Sequence, residues 1–359
     1  MKKLDLFIIK KFLGTFFFSI LLFTLVAIII DLTEKIDNFF DKYIPLDEIV
    51  FDYYLNFIPY IDALLAPLFI FISVIFFTSK MASNSEIVAI LGSGVSFYRL
   101  LAPYIFSATL LATLLFFTNH FIVPEANKGR LSFEYTHISS HKLKHVGHNI
   151  HMQIQKDTYI YIENYTPKDS VGYKFTYEKI KNGKLIYKLR ADKIQWSTEK
   201  QQWEMRNYFA RKIDQMDEEI RQGRDLDTLI GFYPKDFDAR TSLMEEMNSI
   251  ELNEHIAELK QKGSDNTEFY QIEFYRRTAD AFTAIILTLI GFSLASRKMR
   301  GGLGLHIVLG FALSSGYILF SRFSTTFSTN GNLDPFWGVW IPNIIFGILA
   351  MILLRKAPK

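Results

Sequence analysis

Residues 12–30 read FLGTFFFSILLFTLVAIII, and this run contains no charged side chain. A bilayer core about 30 Å thick requires about 20 mostly apolar residues in one helix, so the run is long enough to cross a membrane. Five further blocks are similarly apolar, with Asp62 as their one charged residue, and they occupy residues 53–79, 100–124, 281–296, 301–321 and 335–354. The sequence therefore predicts six membrane-spanning helices, three on each side of a long polar block.

The composition excludes several classes of protein. The 359 residues are 49% hydrophobic and 21% charged, with a formal net charge of +3 and no cysteine. The apolar content excludes intrinsic disorder, and the absence of cysteine excludes disulfide scaffolds and thiolate chemistry. The small net charge argues against nucleic-acid binding. The sequence motifs of zinc peptidases, serine hydrolases and P-loop ATPases are absent, so we expect a chain that is not an enzyme and binds no cofactor.

The basic residues are distributed unevenly among the loops. Residues 1–11, 80–99, 297–300 and 355–359 together hold 12 basic and two acidic side chains, whereas the loop 31–52 holds seven acids and two lysines. Loops rich in Lys and Arg stay in the cytoplasm. We therefore expect both termini in the cytoplasm and the polar block outside it, which is the periplasm for an inner-membrane protein. The first apolar block is also longer than a signal-peptide core, so we expect it to be retained.

The polar block has the pattern of a β domain. Ile150, Met152 and Ile154 alternate with polar residues, as half-buried strands do. Asn182-Gly183 lies between two such strands and is a strong hairpin signal. An antiparallel sandwich or open jelly roll is predicted, with a charged loop over residues 214–227.

The expected organisation has three parts. The first three spans occupy residues 1–124 and include a short cytoplasmic helix near residues 83–95. The β domain occupies residues 125–270 and ends in an amphipathic helix over 243–262, with Gly263 as its C-terminal cap. The last three spans occupy residues 271–359.

The short cytoplasmic helix has two possible roles. Ser83 and Glu86 fit a capping box at its start, and apolar residues follow on one face. Such a helix could lie on lipid, or it could insert into a groove on a soluble partner. The residues alone do not decide between these roles.

Five cations lie near the outer ends of the predicted spans. They could be solvated charges that anchor the helix ends at the membrane interface. Alternatively, they could bind the anionic groups of a lipid head, for which charge-assisted hydrogen bonds are strong. These cations are Lys35, Lys42, Arg130, Arg276 and Arg277.

Two further features are candidates for chemistry. Asp62 is an acid inside the second span, and an intramembrane acid is a functional candidate. Five histidines recur at helical spacing, and such a stripe could bind a transition metal, although an exposed polar face explains it as well. They are His137, His141, His145, His148 and His151.

The order of these elements resembles the LptF/LptG family of lipopolysaccharide-export permeases. Residues 86–96, EIVAILGSGVS, are similar to the family's E-x-x-x-x-x-x-[AS]-G-x-S element. The segments MNSIEL at 247–252 and EFYRR at 273–277 resemble the approach to the fourth span. RKMRGG at 297–302 and WIPN at 340–343 resemble the last inner loop and the start of the sixth span.

The resemblance implies a mechanism. Two related permease subunits pair with a dimer of a cytoplasmic ATPase, which binds ATP and Mg²⁺. Lipopolysaccharide enters between the permeases and is passed through periplasmic jelly rolls to a bridge toward the outer membrane. The family often has a proline early in the fourth span, where this chain has Asp280-Ala281, so the helix is expected to be straighter there.

The resemblance also implies roles for individual residues. Lys35 and Arg130 would contact lipid A phosphates, and strands around residues 150–165 would dock the bridge protein. The ATPase would contact Glu86, Ile87, Ile90, Leu91 and Gly92.

Three alternatives stay open. The chain could be a permease for another lipid or a lipoprotein. It could be a membrane scaffold whose β domain only binds partners. It could also be a membrane-embedded lipid-modifying enzyme that uses Asp62 and the histidines.

Overall fold

The chain forms two compact units, a membrane unit and a β unit. The computed structural model describes residues 3–138, 147–155, 157–166, 169–181, 183–214, 217–228, 230–234, 243–262, 267–297, 302–330 and 333–357. The membrane unit comprises the described residues of 1–138, 244–252 and 268–359, and the β unit comprises those of 139–243 and 253–267.

Six helices among the described residues are long and apolar enough to cross a bilayer, which confirms the predicted three-plus-three arrangement. Large apolar side chains are exposed on them, including Phe18 (67%) and Phe323 (65%). A lipid environment accounts for so much exposed apolar surface. We number the helices span 1 to span 6: Lys3–Asp41, Glu48–Ser83, Phe97–Ile138, Thr267–Ala295, Gly302–Thr329 and Pro335–Arg355.

Aromatic rings join the first four spans. The Tyr104 ring of span 3 lies 6.1 Å from Phe12 of span 1, 6.2 Å from Phe77 of span 2 and 4.6 Å from Phe292 of span 4, measured between ring centroids. The Tyr104 hydroxyl accepts a hydrogen bond from Thr78 at 3.0 Å. Aromatic pairs at these separations add to the energy of burial, so they hold the four helices in one core.

Span 5 contacts the neighbouring spans at three positions along its length. Gly310 faces Ile75 of span 2, and Gly338 of span 6 faces Ser328, so closely that a Cβ on either glycine would overlap that side chain. Between these points the Tyr317 hydroxyl donates to the side-chain oxygen of Asn343 at 2.9 Å and lies 2.6 Å from the Thr283 hydroxyl. This polar contact sets the relative height of spans 4, 5 and 6.

The β unit contains one antiparallel sheet in which neighbouring strands are also neighbours in sequence. This confirms an antiparallel β domain, in an open arrangement without a second facing sheet among the described residues. The buried side of the sheet includes Ile162, Phe175 and Trp203. The strands are β1 (Gly147–Gln155), β2 (Thr158–Thr166), β3 (Val171–Lys181), β4 (Lys184–Ser197), β5 (Gln202–Asp214) and β6 (Asp217–Thr228).

The predicted hairpin joins β3 and β4. Lys181 pairs with Lys184, and Gly183 has a φ of 74°, which glycine adopts without a Cβ clash. Asn182 lies outside the described residues. The hairpin itself is confirmed.

The charged loop predicted over residues 214–227 is wrong, because most of it forms β6. This strand pairs with β5, and Arg211 of β5 forms an ion pair with Glu218. The side chains of β6 are exposed along nearly its whole length, so the apolar alternation that reveals a half-buried strand is missing. An edge strand covered with charges is protected against pairing with other chains.

The amphipathic helix predicted over 243–262 is divided into two helices, Leu243–Glu246 and Ser249–Lys262. Asn248 begins the second helix: its side-chain oxygen accepts from the backbone N–H groups of Ile250 and Glu251, and the Glu251 carboxylate accepts from the Asn248 N–H. This reciprocal capping box explains the break. Gly263 lies outside the described residues. We name residues 244–252, which belong to the membrane unit, the return segment.

Candidate functional site

A cavity of about 510 Å³ lies in the membrane unit among spans 2, 3, 4 and 5 and the return segment. This volume is within the range of about 300–1,000 Å³ that is typical of ligand pockets. One part of the wall is apolar and includes Leu64, Leu65, Leu68, Leu287 and Ile318. The other part is charged and consists of Glu245, Glu273, Arg276, Arg277, Asp280 and Arg322.

The charged part of the wall lies toward one end of the spans. On span 4 the charged residues occupy positions 273–280, and the apolar Leu287 follows about two turns later. The charges are therefore nearer the insertion end, which is the end of spans 3 and 4 where residues 139–266 are inserted along the chain. The cavity thus combines an apolar interior with a polar rim.

Glu273 is the centre of the ion pairs on span 4. Its carboxylate lies 2.5 Å from the guanidinium of Arg276 and 3.3 Å from that of Arg277. The two arginines differ in exposure, because the Arg276 side chain is 37% exposed and the Arg277 side chain is 4% exposed. Both arginines line the cavity, but Arg276 is accessible from it, whereas Arg277 is almost fully buried.

Arg277 holds the return segment against span 4. Its guanidinium donates to the Met244 carbonyl at 2.9 Å and to the Ser249 hydroxyl at 3.1 Å. The Asn119 amide of span 3 donates to the Arg277 carbonyl at 3.5 Å. Because Asn119 lies in a π-helical turn, Thr118–Ile122, the distortion of span 3 brings this side chain to span 4. Such turns occur frequently at functional sites.

A second group of charges joins spans 1 and 3 to the return segment. Lys35 lies 2.8 Å from Asp31 and 2.9 Å from Glu134, and it also contacts the Tyr53 hydroxyl. Arg130 lies 3.5 Å from Glu134 and 3.6 Å from Glu245. Glu134 therefore connects Lys35 to Arg130, and Arg130 connects both to the cavity wall.

Glu245 titrates differently from an exposed carboxylate. Burial, reinforced by the nearby charge of Glu273, raises the pKa of Glu245 above its ordinary value, and Arg130 acts in the opposite direction. The net direction is upward, so this part of the wall binds a proton more readily than a carboxylate in water does.

Asp280 and Arg322 face the cavity from two different spans. Neither side chain makes a hydrogen bond to another described residue, or an ion pair within 4.0 Å of one. Arg276, Glu273 and Arg322 are nevertheless the charged neighbours of Asp280. Span 4 is one continuous helix through Asp280, and its expected straightness stays a prediction.

The structure brings together four of the five predicted cations. Lys35 and Arg130 share Glu134, and Arg276 and Arg277 share Glu273. Lys42 is exposed and stands outside these two groups.

Sequence reasoning missed the acids that pair with these cations, and it also missed Arg322. That arginine directly follows the uncharged block that we ended at residue 321. Its position in the last turns of an apolar helix could have identified it as a candidate functional residue, because charges in membrane spans are uncommon. The missed acids that pair with the cations are Asp31, Glu134, Glu245 and Glu273. Asp280 and Arg322 of the cavity wall were missed as well.

Asp62 and the described members of the histidine group, His137, His148 and His151, do not form part of the cavity wall. Asp62 accepts a hydrogen bond from Thr24 of span 1. His137 lies 3.6 Å from Glu48, whereas His148 and His151 lie on strand β1. The predicted helical stripe is therefore wrong at His148 and His151, because the chain is a strand there, whereas His137 lies in the helical turn Glu134–Ile138. His141 and His145 lie outside the described residues.

The short helix predicted near residues 83–95 extends over Glu86–Gly92. The capping box predicted for Ser83 is wrong, because Ser83 ends span 2 and donates to the Lys80 carbonyl at 2.9 Å. Glu86 is the first residue of the helix rather than the third, so it cannot reach back to cap it. Instead, Glu86 accepts a hydrogen bond from the Asn84 amide at 3.0 Å.

The short helix has an inward and an outward face. Ile87 is 1% exposed and belongs to the core of the membrane unit, and Ile90 and Leu91 are partly buried against the same core. Val88 is 61% exposed. Val88 is therefore the large apolar side chain of this helix that is available to a partner, and replacing Ile87 or Ile90 would also disturb internal packing.

The whole chain agrees with one protein family. Residues 6–356 match the family model described as lipopolysaccharide export system permease LptF/LptG. The match includes all six spans, the inserted β unit and the cavity wall. None of the curated proteins matches the chain in sequence. A match over nearly the full length, together with this architecture, shows that the chain belongs to the LptF/LptG family of lipopolysaccharide export permeases.

Proposed function

We propose that this chain is one permease subunit of an ATP-driven exporter, which extracts lipopolysaccharide from the inner membrane and passes it to a periplasmic bridge. The cavity is the observation that carries this proposal, because it offers an apolar wall to acyl chains and a charged rim to a head group. Family membership supports the substrate. A second, related permease subunit and an ATPase dimer, which holds ATP and Mg²⁺, complete the transporter.

The cations of the membrane unit have two roles in this proposal. Arg276, Arg322 and the exposed Lys42 are accessible and contact phosphates of the substrate. Arg130 and Arg277 are 9% and 4% exposed in their side chains, so they position the wall instead. Lys35 is intermediate, because it is 19% exposed and already lies beside two carboxylates.

Replacing the two accessible arginines of the cavity tests the head-group site. We expect Arg276→Gln combined with Arg322→Gln to reduce crosslinking to lipopolysaccharide about tenfold, because two charge-assisted hydrogen bonds are lost. The measurement uses a photoreactive residue at position 64 in the complex in native membranes, with the lipid detected by immunoblot.

The matched control removes the same number of positive charges at the other end of the spans. Lys10→Gln combined with Lys11→Gln removes two exposed cations from span 1 and is expected to leave crosslinking unchanged. Equal crosslinking in the two double variants would reject this cavity as the head-group site.

We further propose that the short helix Glu86–Gly92 couples the chain to the ATPase. Val88→Asp is expected to reduce co-purification of the ATPase at least tenfold, because a charge placed in an apolar groove is costly. The assay is affinity purification in mild detergent with quantitative mass spectrometry. Val50→Asp changes another exposed valine (47%) and is the control. If the ATPase stays bound to the Val88 variant, this helix lies on lipid and the coupling surface is elsewhere.

The β unit supplies the proposed docking edge for the periplasmic bridge. An exposed edge strand can add a strand from a partner. The edge strand β6 is covered with charges, which disfavour strand addition, whereas β1 alternates apolar and polar residues over 150–155. We therefore propose that the partner pairs with β1.

The alternative of a lipid-modifying enzyme has less support. Asp62 bonds to Thr24 and does not line the cavity. Among the described residues, no group of three or more His, Asp or Glu side chains is arranged to hold a metal ion.

A further inference from the structure

Two opposite charges in the cavity stand apart from the ion pairs around them. Asp280 is on span 4 and Arg322 is on span 5, and both line the cavity. Within the described residues, neither has an ion-pair partner at 4.0 Å or less, in contrast to Glu273, which has two. The other charges of the wall each lie in an ion pair, Glu245 with Arg130, and Glu273 with Arg276 and Arg277. One acid and one base are therefore left facing the same space.

The two charges lie at nearly the same height in the membrane unit. Thr283 and Tyr317 contact each other at 2.6 Å and so align spans 4 and 5. Asp280 is three residues from Thr283 and Arg322 is five residues from Tyr317, both toward the insertion end. At a rise of about 1.5 Å per residue, they stand about 4.5 Å and about 7.5 Å beyond the contact. They face each other across the cavity rather than along it.

A cavity with these properties favours a particular ligand. Charges in a low-dielectric space are costly unless each meets an opposite charge. A simple phosphate would satisfy Arg322 but would be repelled by Asp280, and an uncharged chain would satisfy neither. A head group that carries a phosphate and an amine close together satisfies both.

We propose that the cavity binds a phosphoethanolamine-type head group, with its phosphate at Arg322 and its ammonium at Asp280. The attached acyl chains lie along Leu64, Leu287 and Ile318 in the apolar part of the wall. This inference deepens the proposed function and rests on it, since it names the chemistry that the charged rim recognises. The head group has two sources, a phosphatidylethanolamine molecule or a lipopolysaccharide whose lipid A phosphate carries phosphoethanolamine.

Lipid retention in nanodiscs tests the head-group chemistry. The complex purified from native membranes is placed in equal mixtures of phosphatidylethanolamine and phosphatidylglycerol, and bound lipid is counted by native mass spectrometry. We expect the wild type to retain phosphatidylethanolamine in preference, and Asp280→Asn to lower its retention about tenfold without lowering that of phosphatidylglycerol. Arg322→Gln lowers the retention of both lipids, because both carry a phosphate.

Two variants separate binding from folding. Asp280→Glu keeps the charge and is expected to restore most of the preference for phosphatidylethanolamine. Asp62→Asn removes another acid of the spans, one that does not line the cavity, and leaves the preference unchanged. The inference would be overturned if the wild type showed no preference for phosphatidylethanolamine, or if the Asp280→Asn variant kept the wild-type preference.

Crosslinking distinguishes the two sources of the head group. The experiment measures the yield of crosslinking from a photoreactive residue at position 64, and it compares lipopolysaccharide that carries phosphoethanolamine with lipopolysaccharide that does not. If phosphoethanolamine raises the crosslinking yield and Asp280→Asn abolishes this increase, the bound head group belongs to the modified lipopolysaccharide. If the preference for the amine is seen only in the nanodiscs, the bound head group belongs to phosphatidylethanolamine.

The same assay separates failure of this inference from failure of the proposed function. Crosslinking of unmodified lipopolysaccharide, with no preference for the amine either in crosslinking or in nanodiscs, overturns only the inference. Wild type that crosslinks neither form of lipopolysaccharide contradicts the proposed function.

Discussion

Arg277→Met is expected to destabilise the membrane unit by about 3 kcal/mol, because removing one partner of a buried ionic group leaves the others uncompensated. The variant loses the bonds to the Met244 carbonyl and the Ser249 hydroxyl, and it loses the ion pair with Glu273. With an unfolding entropy of about 2.1 cal/mol/K per residue, the midpoint of thermal unfolding of the chain in detergent falls by about 4 °C.

The adjacent arginine is the matched control for this change. Arg276 pairs with the same Glu273, but its side chain is 37% exposed, so we expect Arg276→Met to cost less than about 1 kcal/mol. Arg277→Lys keeps the charge but loses the forked geometry of the guanidinium, and it should fall between the two. Equal midpoints for Arg276→Met and Arg277→Met would show that Arg277 does not hold the return segment.

Trp203→Ala is expected to have the largest effect on the β unit, about 4 kcal/mol, because it empties a large volume in the core. Trp203 is 0% exposed and lies 4.9 Å from Phe232 and 5.4 Å from Trp196, measured between ring centroids. Its indole N–H also donates to the Phe232 carbonyl at 3.0 Å. A loss of this size changes the ratio of folded to unfolded β unit by nearly three factors of ten.

Limited trypsin digestion of the full chain in detergent measures this effect. We expect rapid cleavage within residues 147–228 of the Trp203→Ala variant, while the spans stay protected. Tyr173→Ala truncates an aromatic side chain that is 47% exposed and is expected to leave the digestion rate unchanged. Protection of residues 147–228 in the Trp203 variant would place the core of the β unit elsewhere.

The membrane helices and the hairpin were predictable because their causes are local. A run of about 20 apolar residues is a sufficient reason for a span, and a glycine that can adopt positive φ is a sufficient reason for a tight turn. Strand β6 was not predictable in this way. Its exposed, charged side chains carry no periodicity, and its backbone hydrogen bonds go to β5, a partner that the segment itself does not specify.

The candidate site was only partly predictable, for a related reason. Arg276 and Arg277 are adjacent in sequence and look equivalent there. Their different exposures follow from the return segment, which covers Arg277 and leaves Arg276 accessible from the cavity. Ile90 likewise looked available for docking, but the helix turns it toward the core and presents Val88.

Six spans, an inserted antiparallel β domain and membership in the permease family could all be read from the amino-acid sequence, because hydrophobic length, alternation and motif order are properties of the chain itself. The cavity, its ion pairs and the two opposite charges of Asp280 and Arg322 depend on the tertiary structure. These charges lie 42 residues apart and face one space only because helix packing aligns spans 4 and 5. Electrostatic partners are decided by distance in space, which a linear pattern does not record.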